Sequence, residues 1–331
     1  MYSRATLVLF LVTAAFAAPP CTSARPECTE WIVYAGGPAR SLIYRTHSLD
    51  VRNPQVTRAL IVVHGMGRDA DNYFRSAVAA AFLAGALENT AVIAPRIASH
   101  EGRGCADTLA SGEVNWPCNA WRSGGLSLNN DKLTSFDFVD EILRKLASKK
   151  AFPNLGRIVV TGHSAGGQFA NRYSMGNTVH ETLGIPVSYV VSNPSSYAYL
   201  DETRPNTAGS AFAPFGDAPN CPAYDGWAYG LQKRSGYTAK ESDGQLRKQL
   251  AARPVVYLLG ELDILPLAGF DSSCPAMAQG PTRLARGQAF ATYVNEKFGA
   301  KHKAVVVPLC GHNARCMYTS ETALPILFSN E

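Results

Sequence analysis

Short apolar runs recur along the chain, at residues 59–63, 90–94, 158–160, 187–191, 255–259 and 303–307. They are bounded by glycine, proline or polar stretches, and they predict strands buried on both faces. Helical spacing lies between them. Residues 72–83 read as a helix capped by Asp71, and residues 135–147 place Phe138, Ile142, Leu143 and Leu146 on one face. A helix follows residues 162–166, and residues 282–298 and 321–328 predict two more. Two β-like runs, 30–34 and 41–47, are joined by a Gly36-Gly37-Pro38 turn and predict a leading hairpin. Strands alternating with helices predict an α/β fold: a mostly parallel sheet with helices on both faces.

Two excursions break this rhythm. Residues 96–130 carry Cys105, Trp116, Cys118 and Trp121 without periodicity, and residues 195–240 are rich in Tyr, Pro, Gly and Asn. They are expected as cap-like insertions over the site. Trp116, Trp121, Tyr197 and Tyr199 read either as pocket lining or as core packing. There is no internal repeat and no second domain, so residues 18–331 are read as one domain.

Composition changes this picture little. A chain of 331 residues, 46% hydrophobic and 17% charged, has ample apolar content for a large core. The formal net charge of +5 is spread rather than clustered, which argues against a nucleic-acid partner. The N-terminus changes it more. Arg4 precedes an apolar run at 5–17 that is too short to span a bilayer, and Ala15-Phe16-Ala17 fits a small-residue cleavage site. Residues 1–17 are therefore read as a secretory signal peptide, and the protein is expected to be secreted or periplasmic, with no transmembrane segment. Eight cysteines, all beyond that point, fit an oxidising compartment. Spacing favours Cys21–Cys28, Cys105–Cys118 and Cys310–Cys316, leaving Cys221–Cys274. No cysteine or histidine cluster has zinc-site spacing, so no metal is expected.

The candidate chemistry centres on Gly162-His163-Ser164-Ala165-Gly166, which joins the 158–160 strand to a helix. Glycines two residues either side of the serine suit a turn so sharp that a side chain there would strike neighbouring backbone. Such a turn lifts the Ser164 hydroxyl off the sheet and sets the Ala165 N–H at a helix N-terminus, facing a developing oxyanion. A serine needs a base and an orienting carboxylate. His312 follows the last strand, in Cys310-Gly311-His312, and is the expected base. His47, His100, His180 and His302 lie in early or peripheral segments, and His163 points away from Ser164. The expected acid is Asp263, in Gly260-Glu261-Leu262-Asp263, with Glu261 as its close rival and Asp271 a distant one. A second oxyanion donor is expected from His64-Gly65-Met66-Gly67, at the Met66 N–H.

These motifs resemble the α/β-hydrolase superfamily over essentially all of the mature chain: Val62-Val63-His64-Gly65 at the oxyanion strand end, Gly162 to Gly167 at the elbow, and the Asp263 and His312 loops. The chain is most similar to secreted microbial esterases and polyhydroxyalkanoate depolymerases. The resemblance implies an eight-stranded, mostly parallel sheet, no cofactor and hydrolysis of a small or polymeric ester. Fewer glycines follow His64 than in the lipase pattern, which argues against a long-chain lipid substrate. The same machinery would also serve a peptidase or an acyltransferase. A binding protein on a hydrolase scaffold would lack part of the triad, and all its members are present in the sequence.

Overall fold

The computed structural model describes residues 18–329 apart from 36, 103 and 268. The expected secretory segment lies outside the described residues. The strands are β1 (Thr29–Val33), β2 (Arg40–Arg45), β3 (Arg58–Val63), β4 (Thr90–Pro95), β5 (His100–Gly102), β6 (Cys105–Ala106), β7 (Arg157–His163), β8 (Val187–Ser192), β9 (Thr203–Pro205), β10 (Phe212–Pro214), β11 (Val255–Gly260) and β12 (Lys303–Val307). The helices are α1 (Ala70–Leu83), α2 (Ser135–Leu146), α3 (Ala165–Gly176), α4 (Asp243–Ala252), the short α5 (Cys274–Met277), α6 (Arg283–Phe298), α7 (Ala314–Thr319) and α8 (Leu324–Phe328).

Eight strands form one sheet in the order β1-β2-β4-β3-β7-β8-β11-β12, parallel from β4 onward and antiparallel at the β1–β2 edge. This is the α/β-hydrolase fold. One core packs α2, α3, α4 and α6 on one face, and a second packs α1, α7 and α8 on the other. α2 shows how local sequence makes such a layer. Thr134 and Asp137 close a capping box, and Phe136, Phe138, Val139, Ile142, Leu143 and Leu146 are all buried. Each such side chain contributes roughly 1.5–3 kcal/mol by leaving water.

Register places the site. Val63 pairs with Gly162, His163 with Ser192, Leu258 with Ser192, and Gly260 with Val307. The loops after β3, β7, β8, β11 and β12 therefore leave the sheet at one edge, where parallel sheets build clefts.

Several elements differ from expectation. α1 starts at Ala70 with Asp69 as its N-cap, because the Asp69 carbonyl accepts from the Asn72 and Tyr73 N–H groups; Asp71 lies in the first turn and pairs with Arg75 at 3.0 Å. The expected last helix, 321–328, is shortened to α8, which opens on a proline in its first turn, and α7 before it was not expected. α4 was not expected at all: it buries only Leu246, Gln249 and Leu250. Trp116, Trp121, Tyr197 and Tyr199 are core residues, each at most 1% exposed. The cysteines form the three pairs that spacing favours and the Cys221–Cys274 pair that it leaves. Among the described residues no helix is long and apolar enough to cross a membrane.

Candidate active site

β7 runs into Ser164, whose φ of 60° and ψ of −118° are unusual for a residue with a side chain. The turn is held by its glycines. A Cβ at 162 would lie 2.2 Å from the Gly166 carbonyl oxygen, one at 166 would lie 2.2 Å from that of Val63, and one at 167 would lie 2.3 Å from that of Ser192. Only glycine lets α3 start so close to β3 and β8.

The structure brings Ser164, His312 and Asp263 together. The Ser164 hydroxyl lies 2.9 Å from His312 Nε2, and His312 Nδ1 lies 2.7 Å from Asp263 Oδ2. With the imidazole neutral, the carboxylate fixes the proton on Nδ1, which leaves Nε2 free to accept from the serine. Glu261 turns elsewhere, its carboxylate accepting from the Leu309 N–H at 2.8 Å. Asp271 accepts from the Tyr229 hydroxyl at 2.7 Å. The other histidines are engaged locally: His47 with Asn53, His100 with the Asp107 carbonyl, His180 with Tyr189 and His302 with Tyr257.

His163, the last residue of β7, was expected to point away from Ser164 but lines the same cleft and lies against His312 with ring centroids 4.6 Å apart. Burial, followed by the neighbouring His312, holds its pKa well below the ordinary imidazole value, so it packs there as a neutral ring. The Tyr73 hydroxyl lies 3.2 Å from its Nδ1.

The loop after β3 is set by His64. Its Nε2 accepts from the Ile97 N–H at 3.1 Å, so Nδ1 carries the proton and donates to the Gly65 carbonyl at 2.9 Å. Burial lowers the His64 pKa to about 4, which keeps that tautomer neutral near pH 7. With the Gly65 carbonyl turned inward, the following N–H belongs to Met66. Among the described residues neither the Met66 nor the Ala165 N–H is bonded to another backbone or side-chain group.

Sequence reasoning did not identify Asn193 or Arg283. Asn193, at a φ of 44°, accepts from the Gly260 N–H at 2.9 Å and donates to the Gly311 carbonyl at 3.2 Å, stapling the acid loop to the base loop. Arg283 donates to the second oxygen of Asp263 at 3.2 Å. An asparagine just past a strand was the only available hint.

A cleft of about 410 Å³ opens over Ser164, walled by Gly65, Met66, Tyr73, His163, Gly269 and His312, with Asp69 and Arg315 supplying one charge of each sign. Neither excursion contributes to its wall; Trp116, Trp121, Tyr197 and Tyr199 are taken up by the core. Met66 in this wall is exposed, and so are Leu262, Ile264, Leu265, Leu267 and Leu309 on the loops that carry Asp263 and His312.

The chain belongs to the alpha/beta hydrolase family, whose model matches residues 60–323. Among solved structures it is similar to LpqC, a poly(3-hydroxybutyrate) depolymerase from Bordetella parapertussis, at 17% identity over 88% of this chain and 85% of that one, with a TM-score of 0.61. It is also similar to poly(aspartic acid) hydrolase-1 from Sphingomonas sp. KT-1, at 21% identity over 90% and 97% of the two chains, with a TM-score of 0.62. At these identities the likeness is one of fold. No curated protein matches the chain in sequence.

Proposed function

We propose that the protein is an exported serine hydrolase that cleaves carboxylic esters through an acyl-enzyme. The observation that carries this reading is His312, which bridges the Ser164 hydroxyl at 2.9 Å and the Asp263 carboxylate at 2.7 Å. In the proposed reaction Ser164 Oγ attacks the ester carbonyl while His312 Nε2 takes its proton. Asp263 stabilises the imidazolium, and the N–H groups of Met66 and Ala165 receive the oxyanion. The imidazolium then protonates the leaving alcohol, and a water deprotonated by His312 releases the acid. The hydrolase fold supports hydrolase activity, and the disulfides support export. Met66 in the cleft wall, the exposed apolar side chains on the loops that carry Asp263 and His312, and the balance of Asp69 against Arg315 within the cleft favour a neutral, apolar ester over a polyanion or a charged peptide.

Ser164→Ala is expected to abolish labelling by a fluorophosphonate and to lower kcat on esters by about 10⁴-fold or more. Persistent labelling of the variant would place the nucleophile elsewhere. A panel of esters of graded acyl length, with a polyester, polyaspartate and a peptide alongside, tests the substrate class. Faster turnover of the peptide than of any ester would replace the ester reading with a peptidase one.

A further inference from the structure

We infer that Arg283 is a positioning residue for the acid of the Ser164–His312–Asp263 array, and this rests on the reading above. Arg283 is the first residue of α6, and Arg286 follows one turn on. They are 1% and 0% exposed. The first turn holds no acidic residue, and a helix N-terminus disfavours cations, so two buried arginines there are costly unless something specific holds them.

For Arg283 that partner is Asp263. One guanidinium amine donates to Asp263 Oδ1 at 3.2 Å while Oδ2 faces His312, so both carboxylate oxygens are committed. The Leu284 N–H donates to the Asp263 carbonyl at 3.3 Å, which fixes the backbone of the same residue. Arg283 Nε donates to Ser195 Oγ at 2.7 Å, and that hydroxyl donates to the carbonyl of Gly269 at the cleft wall at 3.1 Å. Arg286 donates to the Asp271 carbonyl at 3.0 Å and lies 4.5 Å over the Phe270 ring. The segment from Asp263 to Asp271 is thus tied at both ends to the first turn of α6. The remaining Arg283 amine has no partner among the described residues, a cost that an arginine kept only for packing need not carry. Burial lowers the Arg283 pKa and Asp263 opposes that shift, as in a pair that folds together.

The guanidinium also offsets the charge that Asp263 presents to His312. Other groups around the array are His163 against the imidazole, Tyr73 behind it, and Tyr197, Asp271 and Arg286 beside the ion pair. Without the Arg283 charge, Asp263 holds the proton on His312 to higher pH.

The test is the rate of fluorophosphonate labelling of the mature, disulfide-bonded protein over roughly pH 5 to 9. In Arg283→Met the plateau rate is expected to fall about tenfold, and the acid limb to move up by about one pH unit. Arg283→Lys returns the charge and is expected to return the limb, but it recovers only part of the plateau, because an ammonium cannot bridge Asp263 and Ser195 together. A purely structural role would lower the plateau and leave the limb in place. A wild-type limb in an Arg283→Met protein that melts cooperatively overturns the inference. Should that variant not fold, Arg283→Gln, which keeps a hydrogen-bond donor without the charge, decides on the limb: one moved up supports the inference, and a wild-type limb overturns it. Wild-type protein labelled at a residue other than Ser164 removes the Ser164–His312–Asp263 reading on which the inference rests, so the two failures are distinguishable.

Discussion

Asp263 and Glu261 stand on one turn, yet they meet different partners. Glu261 accepts from the Leu309 N–H and helps to hold that residue at a φ of 59°, with its side chain 81% exposed. Asp263 is buried between His312 and Arg283. Asp263→Asn is therefore expected to lower kcat by about 10⁴-fold, by favouring the wrong imidazole tautomer. Glu261→Gln should leave kcat near wild type and cost no more than about 1 kcal/mol of stability, since the group is exposed. Ester kinetics of the two variants decide between them, and equal losses would remove Asp263 from its proposed role. Ser164, His312 and Asp263 were legible in the sequence because each obeys a local rule, lying in a glycine-flanked turn or just past an apolar run. Asn193 and Arg283 were not, because their partners are remote in sequence and a polar residue carries no mark of the chain that will fold against it.

The same contrast holds between elements. β3, β4, β7, β8 and β11 announce themselves as apolar runs because both their faces are covered, whereas β12 is an apolar run at the sheet edge with only Val307 fully buried. α4 was illegible because its buried face is only Leu246, Gln249 and Leu250, on an otherwise polar helix. α7 is a single short turn begun by Asn313, whose side chain accepts from the Cys316 N–H at 3.0 Å. It matters because it carries the far half of the Cys310–Cys316 bridge around His312. Closing so small a loop stabilises by about 2 kcal/mol in the chain-entropy account. Replacing both cysteines by serine is expected to cost that much in a denaturant melt and to lower kcat more than it raises KM, because His312 loses its brace. Unchanged kcat in a destabilised variant would mean that Asn193 and Asp263 alone hold the imidazole.

Over the whole molecule, acid is expected to act twice. Activity should fall reversibly as pH drops through the range where imidazoles titrate, because a protonated His312 cannot serve as base. Stability should fall as well, for a separate reason. His47 and His64 are buried with pKa values lowered to about 4, chiefly by desolvation, and His163 is held well below the ordinary value for the same reason. Their unfolded counterparts titrate near the ordinary value of about 6.5. The unfolded chain therefore binds more protons than the folded one between those values, and the stability these groups contribute near neutrality is lost as pH falls toward 4. Asp140 has the opposite sign. Burial raises its pKa to about 6, against hydrogen bonds from Tyr173 and Tyr237, so its contribution is largest below the unfolded carboxylate value and is lost as pH rises through 6. His180 and His302 are lowered in the same direction and Asp225 is raised like Asp140, so the histidines still outnumber the aspartates and the net slope runs toward lower stability in acid. Each buried histidine contributes up to about 1.4 kcal/mol per pH unit in that window. Asp140→Asn is expected to steepen the loss of stability between pH 6 and 4 by removing the opposing group, while His47→Gln should make it shallower. Denaturant midpoints at pH 7 and pH 5 measure both, and a His47→Gln slope equal to wild type would mean that the ring takes up its proton alike in the folded and the unfolded chain.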